Sequence, residues 1–263
     1  MIISKVAIVG TGVMGEGIIN SLIKVGIKPN SIVIRDKRAD RVQELVSSYG
    51  LTSGSLQEAD AVILAVKPQD LEKCAQELNA EISARVLLVS LLAGVTSARI
   101  SDAFGREIRI IRLMPNTPIL LGQGMSVIAR GKTALETDLA WLEGVLLKSG
   151  KTLVVDESLM DAVTATSGSG PAYFFGFAEG MIKAAIRMGL SEPDSKLLVN
   201  QTLIGAAKMI EESGKDAGTL RKEVTSPNGT TAAALASFES SGWEEIVYEA
   251  MKAAKDRSEE LSN

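Results

Sequence analysis

The chain has 263 residues, 46% of them hydrophobic, which is enough for a large core in one or two domains. Its net charge of −4, with no block of Lys or Arg, excludes the footprint of a nucleic-acid backbone or an anionic membrane surface, so neither partner is expected and small molecules are the default ligands. With no histidine there is no Ser-His or Cys-His nucleophile and no His-bearing zinc site, so no metal is expected; the single cysteine, Cys74, allows no internal disulfide and fits a reducing cytoplasm.

The first apolar run, residues 6–9, is too short to cross a membrane or form a signal core, and Gly10 stops it. It reads as a strand that leads into Gly10-Thr11-Gly12-Val13-Met14-Gly15 and then a helical run from 15 to 25. Three glycines in six residues are weak evidence alone, but strand before and helix after make them a dinucleotide-binding turn. Gly10 permits the tight turn, Gly12 lets the backbone approach a pyrophosphate, and Gly15 brings helix against strand. A turn at Pro29-Asn30 precedes a second strand, 32–34, ending at Arg35-Asp36.

There the cues conflict. Asp36, 21 residues beyond Gly15, suits a ribose 2′-hydroxyl and hence NAD, whereas Arg35, Lys37 and Arg38 suit the 2′-phosphate of NADP. Three cations in four residues outweigh one carboxylate, whose alternative use is to cap the next helix, and so favour NADPH, with NADH as the alternative.

Further strands are expected at 61–66, 86–91, 108–113, 125–129 and 152–155, each buried on both faces, which predicts a doubly wound α/β sheet. Cys74 lies in a helix-like stretch with nothing to activate it and reads as filler. Two proline turns leave strands toward the ligand side: Ala65-Val66-Lys67-Pro68-Gln69 and Met114-Pro115-Asn116-Thr117-Pro118. Lys67, Asn116 and Thr117 offer contacts to ribose or carboxamide; alternatively both turns are rigid connections.

After Asp156 the strand pattern stops, and Ala-, Gly-, Met- and Leu-rich helical spacing takes over, with breaks near 189–193, 213–218 and 225–229. The division expected is 1–156 for nucleotide binding and 157–263 as a helical domain. Its first helix is predicted from 157–161 to Met188, loosened by Gly168, Gly170 and Pro171, and its second after the capping Ser191. So thin a core predicts homodimerisation through this half. Two segments stand out: Ser167-Gly168-Ser169-Gly170-Pro171-Ala172-Tyr173, and Thr225-Ser226-Pro227-Asn228-Gly229-Thr230-Thr231, which launches a helix at about 232. The second reads either as a carboxylate site of hydroxyls and N–H groups at a helix N-terminus or as simple capping by Thr230 or Thr231; spacing favours capping.

Together the G-x-G-x-M-G turn, AVKPQ at 65–69, MPNTP at 114–118, SGSGPAY at 167–173, QT-x-x-GAA-x-M at 201–209 and SP-x-G-T-T at 226–231 resemble, in order and over nearly the whole chain, the pyrroline-5-carboxylate reductase family. The resemblance implies a Rossmann domain followed by an all-helical dimerisation domain, a homodimer or ring of dimers, and an active site between the domains at the dimer interface. It implies reduction of L-1-pyrroline-5-carboxylate to L-proline with NADPH or NADH. Residues 10–15 and 65–68 would bind the cofactor, Ala93 would lie beside the nicotinamide, and Gly229, Thr230 and Thr231 would hold the substrate carboxylate, reversing the preference for capping. Thr231, with Ser169, is the expected catalytic pair, acting by orientation more than by proton transfer.

Two positions depart from the family's pattern. Asn228 stands where the first glycine of SPGG-T is usual, tolerable because Asn also visits positive φ, and Asp36-Lys37 replaces an uncharged residue and Arg, which leaves NADPH against NADH open. A related layout, the β-hydroxyacid dehydrogenases, places a catalytic Lys four residues after a G-x-G. That position here is Phe174, and Lys183 is out of spacing. A non-enzymatic dinucleotide-binding regulator is the other alternative, and it would be expected to lose the helical motifs that this chain retains.

Overall fold

The computed structural model describes residues 3–261. Among these, eight strands form one sheet in the order β3-β2-β1-β4-β5-β6-β7-β8. They are β1 (Val6–Val9), β2 (Ile32–Arg35), β3 (Thr52–Ser53), β4 (Ala61–Leu64), β5 (Leu87–Ser90), β6 (Arg109–Met114), β7 (Gly124–Arg130) and β8 (Gly150–Val154). The strand order reverses between β1 and β4, so the carboxyl ends of these two strands open the crevice where such sheets bind ligands.

Helices α1 (Val13–Lys24), α2 (Ala39–Tyr49) and α5 (Glu136–Leu146) cover one face, while α3 (Leu71–Asn79) and α4 (Ser97–Phe104) cover the other. The sequence dictates which side of each helix turns inward. In α3, Leu71, Cys74, Ala75 and Leu78 recur at i, i+3, i+4 and i+7 and all are buried. Cys74 is thus filler as expected, and burial pushes its thiol up to about 11.

Three expectations change. The two-residue β3 is too short to show a period. β7 runs antiparallel to β6, because only the chain from 115 to 123 joins them, too little for a crossover helix. β8 is not buried on both faces: its Leu153 and Val154 are exposed.

Beyond β8 the single helix predicted from 157–161 to Met188 is four pieces. A 3₁₀ turn (Glu157–Leu159) leads to α6 (Met160–Val163), then to a π-helical stretch (Thr164–Gly168) and to α7 (Gly170–Arg187). The expected loosening at Gly168 to Pro171 is therefore a change of helix type, a widened turn of the kind often found at functional sites. The helices α8 (Glu192–Glu212), α9 (Ala217–Glu223), α10 (Thr230–Ser240) and α11 (Trp243–Glu260) follow; the three expected breaks precede α8, α9 and α10, while the one between α10 and α11, at Ser241-Gly242, was not foreseen. Ser191 caps α8 by accepting the Asp194 N–H at 3.2 Å.

The chain divides into two compact units, one of 1–171 with 253–263 and one of 172–252. The first therefore includes the last turns of α11. In the second, Trp243 packs against Phe177 and Phe238 with ring centres 5.8 and 5.6 Å apart. No helix among the described residues is long and apolar enough to cross a membrane.

Candidate active site

The site in the first unit begins at the glycine turn, where two of the three glycines have a steric reason within the protein. A Cβ on Gly10, held at φ +92°, would lie 2.5 Å from the Ala65 carbonyl oxygen, and one on Gly15 would strike the Gly10 carbonyl. These two glycines are required by the protein itself. A Cβ on Gly12 would meet no protein atom within 4 Å, yet Gly12 is the N-cap of α1, an end that no side chain caps. Bare backbone with open space before it is a cradle shaped for an anion outside the chain, and a pyrophosphate fits it. Val13 is exposed at its lip, whereas Met14 turns inward against the core.

Thr11 is fully buried and serves the turn: its N–H and hydroxyl donate to Asp36 Oδ2 at 2.6 and 2.9 Å. Asp36 Oδ1 accepts the Arg38 N–H at 3.0 Å, while α2 has Arg38 as its N-cap with no side-chain bond. Burial pushes the Asp36 carboxyl up, but these hydrogen bonds outweigh it and hold the group below its usual value. Sequence spacing identified Asp36 but missed its bond to Thr11. It missed Arg41 altogether. Arg41 donates Nε–H to the Thr11 carbonyl at 3.2 Å and pairs with Glu16, which also accepts the Tyr49 hydroxyl at 3.0 Å. No spacing rule connects position 41 to position 11.

Beside the turn lies a crevice of about 730 Å³, lined by Gly10, Gly12, Asp36, Ala65, Val66 and Lys67 among others. Its cations face carboxylates. Arg35 makes a forked contact to Glu81 at 2.8 and 3.0 Å, and Arg38 lies 3.5 Å from Asp36. Lys37 Nζ donates to Asp70 at 2.7 Å. Arg35 is committed to Glu81, whereas Lys37 and Arg38 are largely exposed and free to turn to a phosphate. Pro68 opens the 3₁₀ turn that carries Asp70.

At the other end, residue 93 follows β5, and Ala93 packs with Met114, Val127 and Met160. Asn116, expected to contact the cofactor, is occupied internally: its Nδ2 donates to the Ser167 carbonyl at 3.0 Å and its Oδ1 accepts the Met125 N–H at 2.8 Å. Gly168 presses on Met114, where a Cβ would lie 3.2 Å from Sδ. The MPNTP turn thus holds the π-helical stretch at the carboxyl end of β6. Ser169 closes that stretch, its N–H donating to the Thr164 carbonyl at 2.8 Å.

Gly229, Thr230 and Thr231 lie in the second unit. Ser226 to Gly229 form a turn closed by the Gly229 N–H on the Ser226 carbonyl at 3.1 Å, with Asn228 at φ +59°. Pro at the second and a positive φ at the third position are the signature of a type II turn. Asn228 therefore does the first glycine's work, while a Cβ on Gly229 would lie 2.5 Å from Ser226 Oγ. The preference for capping by Thr230 or Thr231 fails: Gly229 is the N-cap of α10 and no side chain caps it, because the two threonines already sit inside the helix. Phe174 and Lys183 are exposed on α7, and Lys183 pairs with Glu179.

The chain is 37% identical to the pyrroline-5-carboxylate reductase of Corynebacterium melassecola, over 98% of each protein. It belongs to the pyrroline-5-carboxylate reductase family. Residues 157–261 match the family model for pyrroline-5-carboxylate reductase dimerisation, and residues 5–94 match that for NADP oxidoreductase, coenzyme F420-dependent. The solved reductase of Coxiella burnetii is 33% identical and superposes with a TM-score of 0.89 over all of both chains. That of Plasmodium falciparum, with NADP bound, is 28% identical with a TM-score of 0.87 over 98% of each. In a member of this family, the sheet order, the bare Gly12 and the π-helical stretch 164–168 that leads into Ser169 make up the frame of a reductase.

Proposed function

We propose that this chain reduces L-1-pyrroline-5-carboxylate to L-proline with NADPH, and with NADH less readily. The observation that carries the reading is the unbroken row along the carboxyl ends of the strands, from the glycine turn through residues 65–68 to Ala93 and the Asn116-anchored stretch ending at Ser169. The cofactor, when bound, supplies the hydride that goes from nicotinamide C4 to the imine carbon, while one proton from solvent ends on the ring nitrogen. Gly12 and the N-terminal amides of α1 would hold the pyrophosphate, with Thr11, Val13, Met14 and Gly15 shaping the turn. Asp36 and Lys37 would face the adenosine ribose beside Arg35, and Ala65 to Pro68 would form the opposite wall.

An iminium carbon is already electrophilic, so the residues need chiefly to orient it. Gly229, Thr230 and Thr231 hold the carboxylate at the uncapped start of α10, with Thr231 as the principal polar contact and Ser169 second. Residues 1–156 are then the nucleotide half and 157–263 the substrate and dimer half. A homodimer, alone or in a ring, is supported by the exposed Phe174, Phe175, Leu197, Leu198, Ile204 and Ile210, too much apolar surface for a lone chain. A cytoplasmic enzyme without membrane or nucleic-acid partners fits the chain's charge. The deciding experiment is NADPH oxidation by purified protein with L-1-pyrroline-5-carboxylate, repeated with NADH; no substrate-dependent oxidation with either cofactor rejects the reading.

A further inference from the structure

The last turns of α11 return to the first unit and settle on the loop between β5 and α4. Gly94 sits there at φ +77°, and a Cβ on it would run into the Ser258 carbonyl and lie 2.9 Å from Leu261 Cβ. Ser258 is almost wholly buried, and its hydroxyl donates to Asp161 Oδ1 at 2.6 Å. The other end of the same loop is held as firmly. Glu157 accepts both the N–H and the hydroxyl of Ser97 at 2.6 Å and faces Arg112 Nη1 at 3.4 Å.

Arg112 joins the two holds. It is buried on β6, and its Nε and Nη2 find no hydrogen-bond partner among the described residues. Burial pulls its guanidinium below the usual value, opposed by the charges of Glu157 and then Asp161. A buried arginine so lightly bonded is costly unless both carboxylates stay in place, which ties the positions of Glu157 and Asp161 to one another. Residues 94 and 97 are thereby pinned on either side, and Ala93 is adjacent to the first pin.

We propose that Ser258 and Asp161 are positioning residues for the reduction: they clasp the 91–97 loop so that Ala93 presents a fixed wall to the nicotinamide ring. This rests on the reading of Ala93 given above. The glycine turn and adenosine rim, which set affinity, are built from other residues, so the clasp acts on rate.

Fluorescence titration with NADPH alone, steady-state kinetics and thermal melts test it. Ser258→Ala is expected to shift the emission of the bound nicotinamide and to lower kcat about fivefold, while the NADPH dissociation constant stays within about twofold. Asp161→Ala reproduces this. The clasp is overturned if Ser258→Ala leaves both emission and kcat unchanged. It is equally overturned if affinity, kcat and melting temperature fall together, since that is general loss of structure. The titration needs no turnover: if the parent protein shows no reductase activity, the functional reading fails while the emission shift still decides the clasp.

Discussion

The rim of the crevice at Arg35 to Arg38 and the wall around Ala93 are built on opposite principles. At the rim the wall is charged and partly exposed, and Lys37 and Arg38 rest on nearby carboxylates that they can leave at little cost. Around Ala93 the wall is apolar, built on the cluster of Met114 and Met160, and the polar side chains of Asn116 and Ser258 beside it are bonded within the protein. A loose rim can adapt to one nucleotide or another and so governs affinity and choice; a rigid wall fixes the distance between reacting atoms and so governs rate.

The sharpest contrast lies within the glycine turn. Gly15→Ala is expected to destabilise the protein by about 3 kcal/mol, because its Cβ strikes the Gly10 carbonyl with nowhere to move. Chemical denaturation measures it. Gly12→Ala, which meets no protein atom, should leave stability within about 1 kcal/mol but weaken NADPH at least about tenfold in titration. If both variants behave alike, the division between a packing glycine and a ligand glycine is wrong.

Thr231→Ala should lower kcat/KM for the imine about tenfold with NADPH affinity unchanged, since it removes one hydrogen bond to a charged group. Loss of cofactor affinity instead would move Thr231 to the nucleotide. Lys37→Ala is expected to raise KM for NADPH about fivefold and leave that for NADH within about twofold, read from parallel assays. Equal effects on both would remove Lys37 from the choice between them.

The smallest effect concerns Asp36. Its carboxyl is held below the ordinary value, so its contribution to stability is present at neutral pH and is lost as pH falls through the folded-state value. Asp36→Asn should therefore lower the melting temperature by about 2 °C at pH 7 and by less near pH 3. An equal loss at both would deny that the charge matters.

Much of the nucleotide half was legible because its signals are local. Gly10, Gly12 and Gly15 lie within one turn, and α3 shows its buried side through four residues at regular spacing. What escaped was set by partners distant in sequence. The pairing of Arg35 with Glu81 and of Lys37 with Asp70 changes the meaning of a cationic cluster, and neither acid is near it in sequence. Asn116 was marked by its place after a strand, but its bond to the Ser167 carbonyl, 51 residues on, had no sequence signal. The threonines at 230 and 231 looked like caps because one residue decides where a helix begins, and Gly229 takes that place. The widened turn at 164–168 has no periodic signature, so Gly168 and Gly170 indicated only weakness there.

The contact of Ser258 with Gly94 and Asp161 bears on how the molecule is made. The sheet unit draws residues from two stretches far apart in sequence, so the loop after β5 receives its cover only when the last turns of α11 come back to it. The glycine turn, whose partners Asp36 and Ala65 lie early in the sequence, can close well before that loop does.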